Sequence, residues 1–332
     1  MSAELPFLEP RKIGDTVRIL TVASTAAASV AIAMLSACSG APQNGSAGLP
    51  QTSTDGATRK APRPVPLATE SFLYVADYSK DSIEILQRVH QRWINVGAIK
   101  ESVLDPLSVW VDRGQNLYVA NGQGPVNEYD SSGKLIFEYE SAGSAKGVTT
   151  DKSGNVYVAG VDVSEYPQGV DDAFSCEMPN AEPRSVAVDK DGDVFVGAFL
   201  HNGRGKIVEY VHGLIDSKCR ATRLPINFGS VPDGIAFDKE GNLLATDPDK
   251  SVGDIDVIAP PYTSITQKIN ARVPWPVSVT LNKANTRVYV SDSSSDVVQV
   301  LSYPAGANVA TLGSKENLTE PLSAVDSANY VP

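Results

Sequence analysis

After its first forty residues this chain is short of several things: long helix-forming runs, clustered cations, histidine (three in 332 residues) and cysteine (also three). Each shortage excludes something. Without helical runs, and punctuated by 26 glycines and 22 prolines, the body reads as an all-β protein with many turns. Without basic clusters, and with a formal net charge of -11, it is poorly suited to nucleic acid and is expected to be a dispersed, monomeric body. The apolar run from Ile19 to Met34 is short and alanine-rich, which argues against a permanent membrane span. Neither Cys176 nor Cys219 has a histidine placed to make it a nucleophile.

What the N-terminus does have is an address. Arg11, Lys12 and Arg18 precede the apolar run, the charged-then-apolar order of a secretory signal. It ends in Leu35-Ser36-Ala37-Cys38, which resembles the lipobox of bacterial lipoproteins. The resemblance implies a signal peptide over 1–37, cleavage before Cys38 and lipidation of its thiol. Acyl chains then hold the protein in the bacterial cell envelope, since each buried CH₂ contributes about 0.8 kcal/mol. Ser39 at the following position favours the outer membrane in a cell that has two. From Cys38 to residue 70 the chain is rich in Pro, Gly, Ser, Thr and Ala with no apolar period, and is expected to be a flexible tether.

From residue 71 to the end one hairpin recurs. Its clearest copy is Pro183 to Gly197, where two alternating apolar runs flank Asp189-Lys190-Asp191-Gly192. The second strand of the hairpin centres on Tyr74, Tyr118, Tyr157, Phe195, Leu244 and Tyr289, spaced 44, 39, 38, 49 and 45 residues apart. A period of about 43 residues, with room for four short strands, is that of a propeller blade. The turns place Gly114, Gly154, Gly192 and Gly241 where positive φ is easiest to accommodate, with Asn285 as the substitute in the sixth copy. No first strand precedes Leu73, whereas Glu320-Pro321-Leu322-Ser323-Ala324-Val325-Asp326 is left over at the end. The C-terminal strand is therefore expected to complete blade 1 and close a six-bladed ring. The third copy is the least regular.

The recurrent Pro-x-x-Val-Ala-Val-Asp, Gly-Asn and Val-Tyr-Val-Ala-Asp pattern is similar to that of NHL-repeat and SMP-30/gluconolactonase-like six-bladed propellers. That resemblance covers nearly the whole of 71–332 and implies a fold shared by binders, lactonases and lyases. In such rings ligands meet the face where each first strand begins. Counting back from the strand-end Asp or Asn gives Leu107, Lys146, Arg184, Asp233, Val277 and Leu322 as mouth residues. Pro232-Asp233-Gly234 looks like the lactonase motif whose aspartate binds a divalent metal such as Ca²⁺ or Mg²⁺, and Glu320 could imitate the family's glutamate. Lys146 and Arg184 stand where that family would want other ligands, and two cations repel a metal. Streptogramin-lyase-type members use several histidines with a glutamate; here only His201 falls near that face.

Four further groups of residues carry expectations. Lys146 and Arg184 either bind an anionic group or pair with neighbouring acids such as Glu182 or Asp233. Trp275, between two prolines, borders the same face. Cys176 and Cys219, 43 residues apart, sit one repeat apart and suit a disulfide in an oxidising envelope. Asp77, Asn121, Asp247 and Asp292, after the second strands, are suited to bonding nearby backbone amides. The sequence thus reads as a cell-envelope lipoprotein whose propeller binds a protein or small ligand without a cofactor. The alternative is a metal-dependent lactonase or hydrolase centred on Asp233.

Overall fold

The computed structural model describes residues 72–139, 144–168, 170, 172–248 and 251–327. The chain divides into two units, Met1–Arg59 and Lys60–Pro332, and the described residues all belong to the second. The signal segment, Cys38 and the tether lie outside them.

Twenty-four strands form six four-stranded antiparallel sheets, the blades of a propeller. Blade 1 contains β1 (Phe72–Asp77), β2 (Ser82–Val89) and β3 (Arg92–Ile99). Blade 2 is β4 (Pro106–Val111), β5 (Leu117–Asn121), β6 (Val126–Tyr129) and β7 (Leu135–Tyr139). Blade 3 is β8 (Gly147–Thr150), β9 (Val156–Ala159), β10 (Val163–Tyr166) and the short β11 (Phe174–Cys176). Blade 4 follows with β12 (Ala181–Val188), β13 (Val194–Leu200), β14 (Gly205–Tyr210) and β15 (Ala221–Arg223). A short helix α1 (Gly213–Ser217) is inserted before β15. Blade 5 is β16 (Ile235–Phe237), β17 (Leu243–Asp247), β18 (Asp254–Ile258) and β19 (Gln267–Asn270). Blade 6 is β20 (Pro276–Leu281), β21 (Arg287–Asp292), β22 (Val297–Ser302) and β23 (Asn308–Leu312). The last strand, β24 (Pro321–Asp326), pairs antiparallel with β1, so the C-terminus supplies the innermost strand of blade 1 as expected.

In blades 2 to 6 the strand-end Asp or Asn is what folds the hairpin between the first and second strands. Asp189 Oδ1 accepts the amides of Asp191 and Asp193 at 2.8 and 2.9 Å. Asp151 and Asp238 make equivalent pairs of bonds in blades 3 and 5, and Asn282 in blade 6 accepts the amides of Thr286 and Arg287. These turns replace ladder bonds that the reversing backbone cannot make. The residue three places after the acid takes the left-handed conformation: Gly154, Gly192 and Gly241 with φ of 84 to 90°, and Asn285 with φ 53°. Blade 2 differs from expectation. Gln115 (φ 68°), not Gly114, holds that position, because Gly114 is one residue too early counted from Asp112.

Between neighbouring blades lie six apolar clusters, one per interface. The central second-strand residues Tyr74, Tyr118, Tyr157, Phe195, Leu244 and Tyr289 are all buried in them. The core is therefore distributed around the ring, and each blade depends on both neighbours for burial of its two faces. Closure by β24 completes the interface between blades 6 and 1, where Tyr289 donates a 2.7 Å hydrogen bond to Asp326 Oδ2.

Candidate functional site

The inner strands of four blades share one irregularity. The pairing register skips a residue between Pro106 and Ser108, Pro183 and Ser185, and Pro276 and Ser278. The same skip separates Pro321 from Ser323 against β1. Each skipped residue, Leu107, Arg184, Val277 or Leu322, follows a proline that has no N–H for the ladder. Such a bulge re-aims its side chain. Leu107, Arg184 and Val277 turn into the channel mouth, and from blade 1 Ser323 lines it rather than Leu322. In blades 3 and 5 the inner strands are shorter and begin after Lys146 and Asp233, which line the same cavity of about 70 Å³.

Backbone contacts fix the charged residues. Lys146 donates its amide to Ala159 at 2.7 Å. Gly147 passes so close to blade 4 that a Cβ there would lie 3.1 Å from the Arg184 carbonyl. The Asp233 amide bonds Val231 O at 3.0 Å, and Ser185 Oγ donates to Pro232 O at 2.8 Å. Gly234 and Thr246 bond each other through backbone and hydroxyl. Gly234 has no room for a side chain, since its Cβ would sit 2.6 Å from Ser278 Cα. Asp233 is thus locked between blades 4 and 6.

The two cations share one acid. Arg184 Nη2 lies 3.1 Å from Glu182 Oε2, and Lys146 Nζ bonds Glu182 Oε1 directly. The Arg184 guanidinium also lies over the Phe199 ring, 5.9 Å from its centroid. Its Nε is buried and makes no hydrogen bond. Burial and the neighbouring Arg184 charge push the Lys146 ammonium down to about 8, against the pull of Asp233; the Glu182 contact opposes that depression. Burial raises the Asp233 carboxyl to about 6, with Arg184 and Lys146 working in the opposite direction. Of the two sequence alternatives for the cations, pairing with acids is the arrangement present, and Glu182 is the shared partner.

The remaining candidates fall elsewhere. Trp275 is 42 % exposed on the loop entering β20 and borders the mouth without lining it. Its amide donates to Asp292 Oδ2 at 2.6 Å. Glu320 is outside the cavity lining: its carboxylate accepts from Ser79 Oγ and its amide donates to Asp77. A divalent ion wants several converging oxygens. Asp233 instead faces two cations, and among the described residues no three His, Cys, Asp or Glu side chains gather as a metal site. The residues present do not fit a metal. His90, His201 and His212 are absent from the cavity lining. Cys176 and Cys219 are joined by a disulfide, tying the outer strand of blade 3 to the segment after α1 in blade 4.

Three of the residues expected after the second strands are their last residues and act as backbone latches. Asp77 accepts the amides of Thr319 and Glu320, Asn121 that of Leu104, and Asp292 those of Trp275, Ser294 and Ser295. Asp247 instead pairs with Lys268, which also meets Asp254 and Asp256. The inner-strand bulges and the Phe199 platform were not anticipated from sequence. The recurring proline before each bulged residue is the signal that carries the former.

In sequence, the chain matches no protein-family model and none of the curated proteins. In structure it resembles a chain of the nidogen/laminin complex (TM-score 0.63, 14 % identity, 77 % of this chain and 98 % of that one). It is also similar to a protein of unknown function from Bacteroides caccae (TM-score 0.61, 15 % identity, 78 % and 99 %). A functionally unknown protein from Desulfotomaculum acetoxidans aligns as well (TM-score 0.56, 11 % identity, 77 % and 98 %). At these identities the likeness establishes the fold: a six-bladed β-propeller.

Proposed function

We propose that this propeller is a binding module, carried at the bacterial cell envelope on a tether lipidated at Cys38, with its ligand face at the mouth of the central channel. The NHL/SMP-30-like repeat pattern supports that placement of the face. The observation that carries the reading is the gathering of Lys146, Arg184 and Asp233 from three different blades into one cavity. Ionisable groups held partly out of water cost stability unless something else selects them. One nidogen/laminin complex contains a structurally similar chain, which accords with a propeller working through its surface.

Binding is favoured over metal-dependent hydrolysis because Asp233 faces two cations and Glu320 bonds Ser79 away from the cavity. The test is photo-crosslinking in the native envelope from two positions, Trp275 at the mouth and Ile136 on the exposed outer strand of blade 2. A discrete species captured from 275 and not from 136 is expected, and equal capture from both would sink the reading. For the anchor, Cys38→Ser is expected to move the protein from the membrane fraction to the soluble fraction.

A further inference from the structure

Resting on the channel mouth being the ligand face, the chemistry there narrows the ligand class. Two cations from different blades converge on one carboxylate, Glu182, whose side chain is 36 % exposed. An anion from solution can meet the same two cations in its place. Arg184 has more to offer than Glu182 uses: Glu182 meets Nη2, while Nε, buried and without a hydrogen bond, is reached when the guanidinium turns from Glu182 to a ligand. A carboxylate on the Nε–Nη edge makes two parallel, charge-assisted bonds. Opposite the charges, Leu107 and Val277 present aliphatic surface to the same cavity. A space of about 70 Å³ holds on the order of five waters. That is room for a headgroup and a short stem.

We infer that the mouth takes a small monocarboxylate with a short aliphatic stem, bound through Arg184 and Lys146 in exchange with Glu182. The charge balance sets a condition on that anion. Among the described residues, Lys146 and Arg184 are offset by Glu182 and Asp233, and the rest of the lining is neutral. Adding an anion leaves one negative charge in excess unless Asp233 takes up a proton. Its raised pKa of about 6 makes that uptake accessible. Protonated, Asp233 becomes a donor towards the ligand. Binding is therefore expected to strengthen as pH falls from 8 to 6.

The experiment is titration of the full chain with butyrate, butyramide and inorganic phosphate, followed by calorimetry or ligand-observed NMR at pH 6 and pH 8. Butyrate is expected to bind and butyramide not. Arg184→Ala with Lys146→Ala is expected to weaken butyrate by about tenfold or more, the loss of one to two charge-assisted bonds. Glu182→Gln removes the internal competitor and is expected to tighten butyrate about threefold. Thermal unfolding separates a binding loss from misfolding of the double variant, and Glu182→Gln decides alone if that variant does not fold. Equal binding of butyramide, preference for phosphate, or unchanged or weaker butyrate binding in Glu182→Gln would each overturn the assignment. If crosslinking from Trp275 still captures a species while butyrate does not bind, the carboxylate assignment falls and the binding-module reading stands.

Discussion

Blades 6, 1 and 2 differ from blades 3, 4 and 5 in how they hold their loops at the channel mouth. In the first group a buried Asp292, Asp77 or Asn121 accepts amides of the segment entering the inner strand of the same blade. The mouth residues of these blades, Val277, Ser323 and Leu107, carry no charge. In the second group the corresponding residues are Gly160, Ala198 and Asp247, none of which accepts such an amide. There the loops meet by close backbone approach. A Cβ on Gly160 would lie 2.8 Å from Ser144 O, and one on Gly197 2.4 Å from Pro232 O. The charged mouth residues Lys146, Arg184 and Asp233 all belong to this group. One half of the ring is closed by strand-end Asp or Asn latches and presents an uncharged mouth; the other lacks them, keeping the Thr246 hydroxyl on the Gly234 amide, and carries the ionisable groups. Polar groups used for stability and polar groups left for a ligand are segregated by blade.

The largest effect is expected at the disulfide, which belongs to the unlatched half. Closing a loop across a separation of 43 residues removes roughly 3–4 kcal/mol of unfolded-state entropy. Cys176→Ser with Cys219→Ser should lower the urea unfolding free energy by about that amount. Hydrogen exchange should speed mainly in β8 to β15, with blades 6, 1 and 2 keeping their protection. Uniform loss of protection around the ring would break the comparison, by showing that the halves do not respond separately.

Next in size is the latch that closes the ring. Asp77 is fully buried and holds the amides of Thr319 and Glu320 at 2.9 and 3.0 Å, with Lys80 3.1 Å away. Asp77→Ala leaves two donors and a cation without their acceptor and should cost about 3 kcal/mol. The loss should appear as early release of β24 in hydrogen exchange. Placing the same residue in the other half should also do harm. Gly160→Asp forces a Cβ against Ser144 O and is expected to cost about 2 kcal/mol, with a lower thermal midpoint as the readout. A gain from Gly160→Asp would mean that the glycine contact is not what replaces the latch.

The ring, its closure by β24 and five of the six residues expected at the cavity wall were legible in the sequence because each is repeated. Six copies of Val-Tyr-Val-Ala-like strands establish a period, and the strand-end acid is a fixed point from which Lys146, Arg184 and Asp233 can be counted. Departures from the period were harder. Gln115 takes the left-handed position because the blade 2 glycine is displaced by one residue, and a pattern that simply looks for glycine assigns it wrongly. Leu322 gives way to Ser323 at the cavity wall because counting along the chain cannot say which side chain a bulge re-aims. That Glu182 serves both cations follows from the spacing between blades 3 and 4, a three-dimensional distance with no counterpart in one repeat. The same holds for Phe199 beneath Arg184.

The smallest effect tests the segregation most sharply, because one kind of substitution should have opposite signs in the two halves. Asp292 accepts three amides, and asparagine, with one acceptor oxygen, cannot; Asp292→Asn should destabilise by about 1–2 kcal/mol. Asp233 is held at about 6 from an ordinary value of 3.8 by burial. The folded protein therefore binds the Asp233 proton more tightly than the unfolded chain does, so this group's contribution to stability falls as pH rises from about 4 to about 6 and stays low above that. The rise would correspond to roughly 3 kcal/mol for a fully buried carboxyl, and partial exposure reduces it. Asparagine mimics the neutral form at every pH. Asp233→Asn should thus stabilise by about 1–2 kcal/mol at pH 8 and make no difference near pH 4. Urea melts of both variants across pH 4 to 8 check this. A destabilised Asp233→Asn at pH 8 would place Asp233 among the latches, and the division of labour around the ring would fail at the residue on which it most depends.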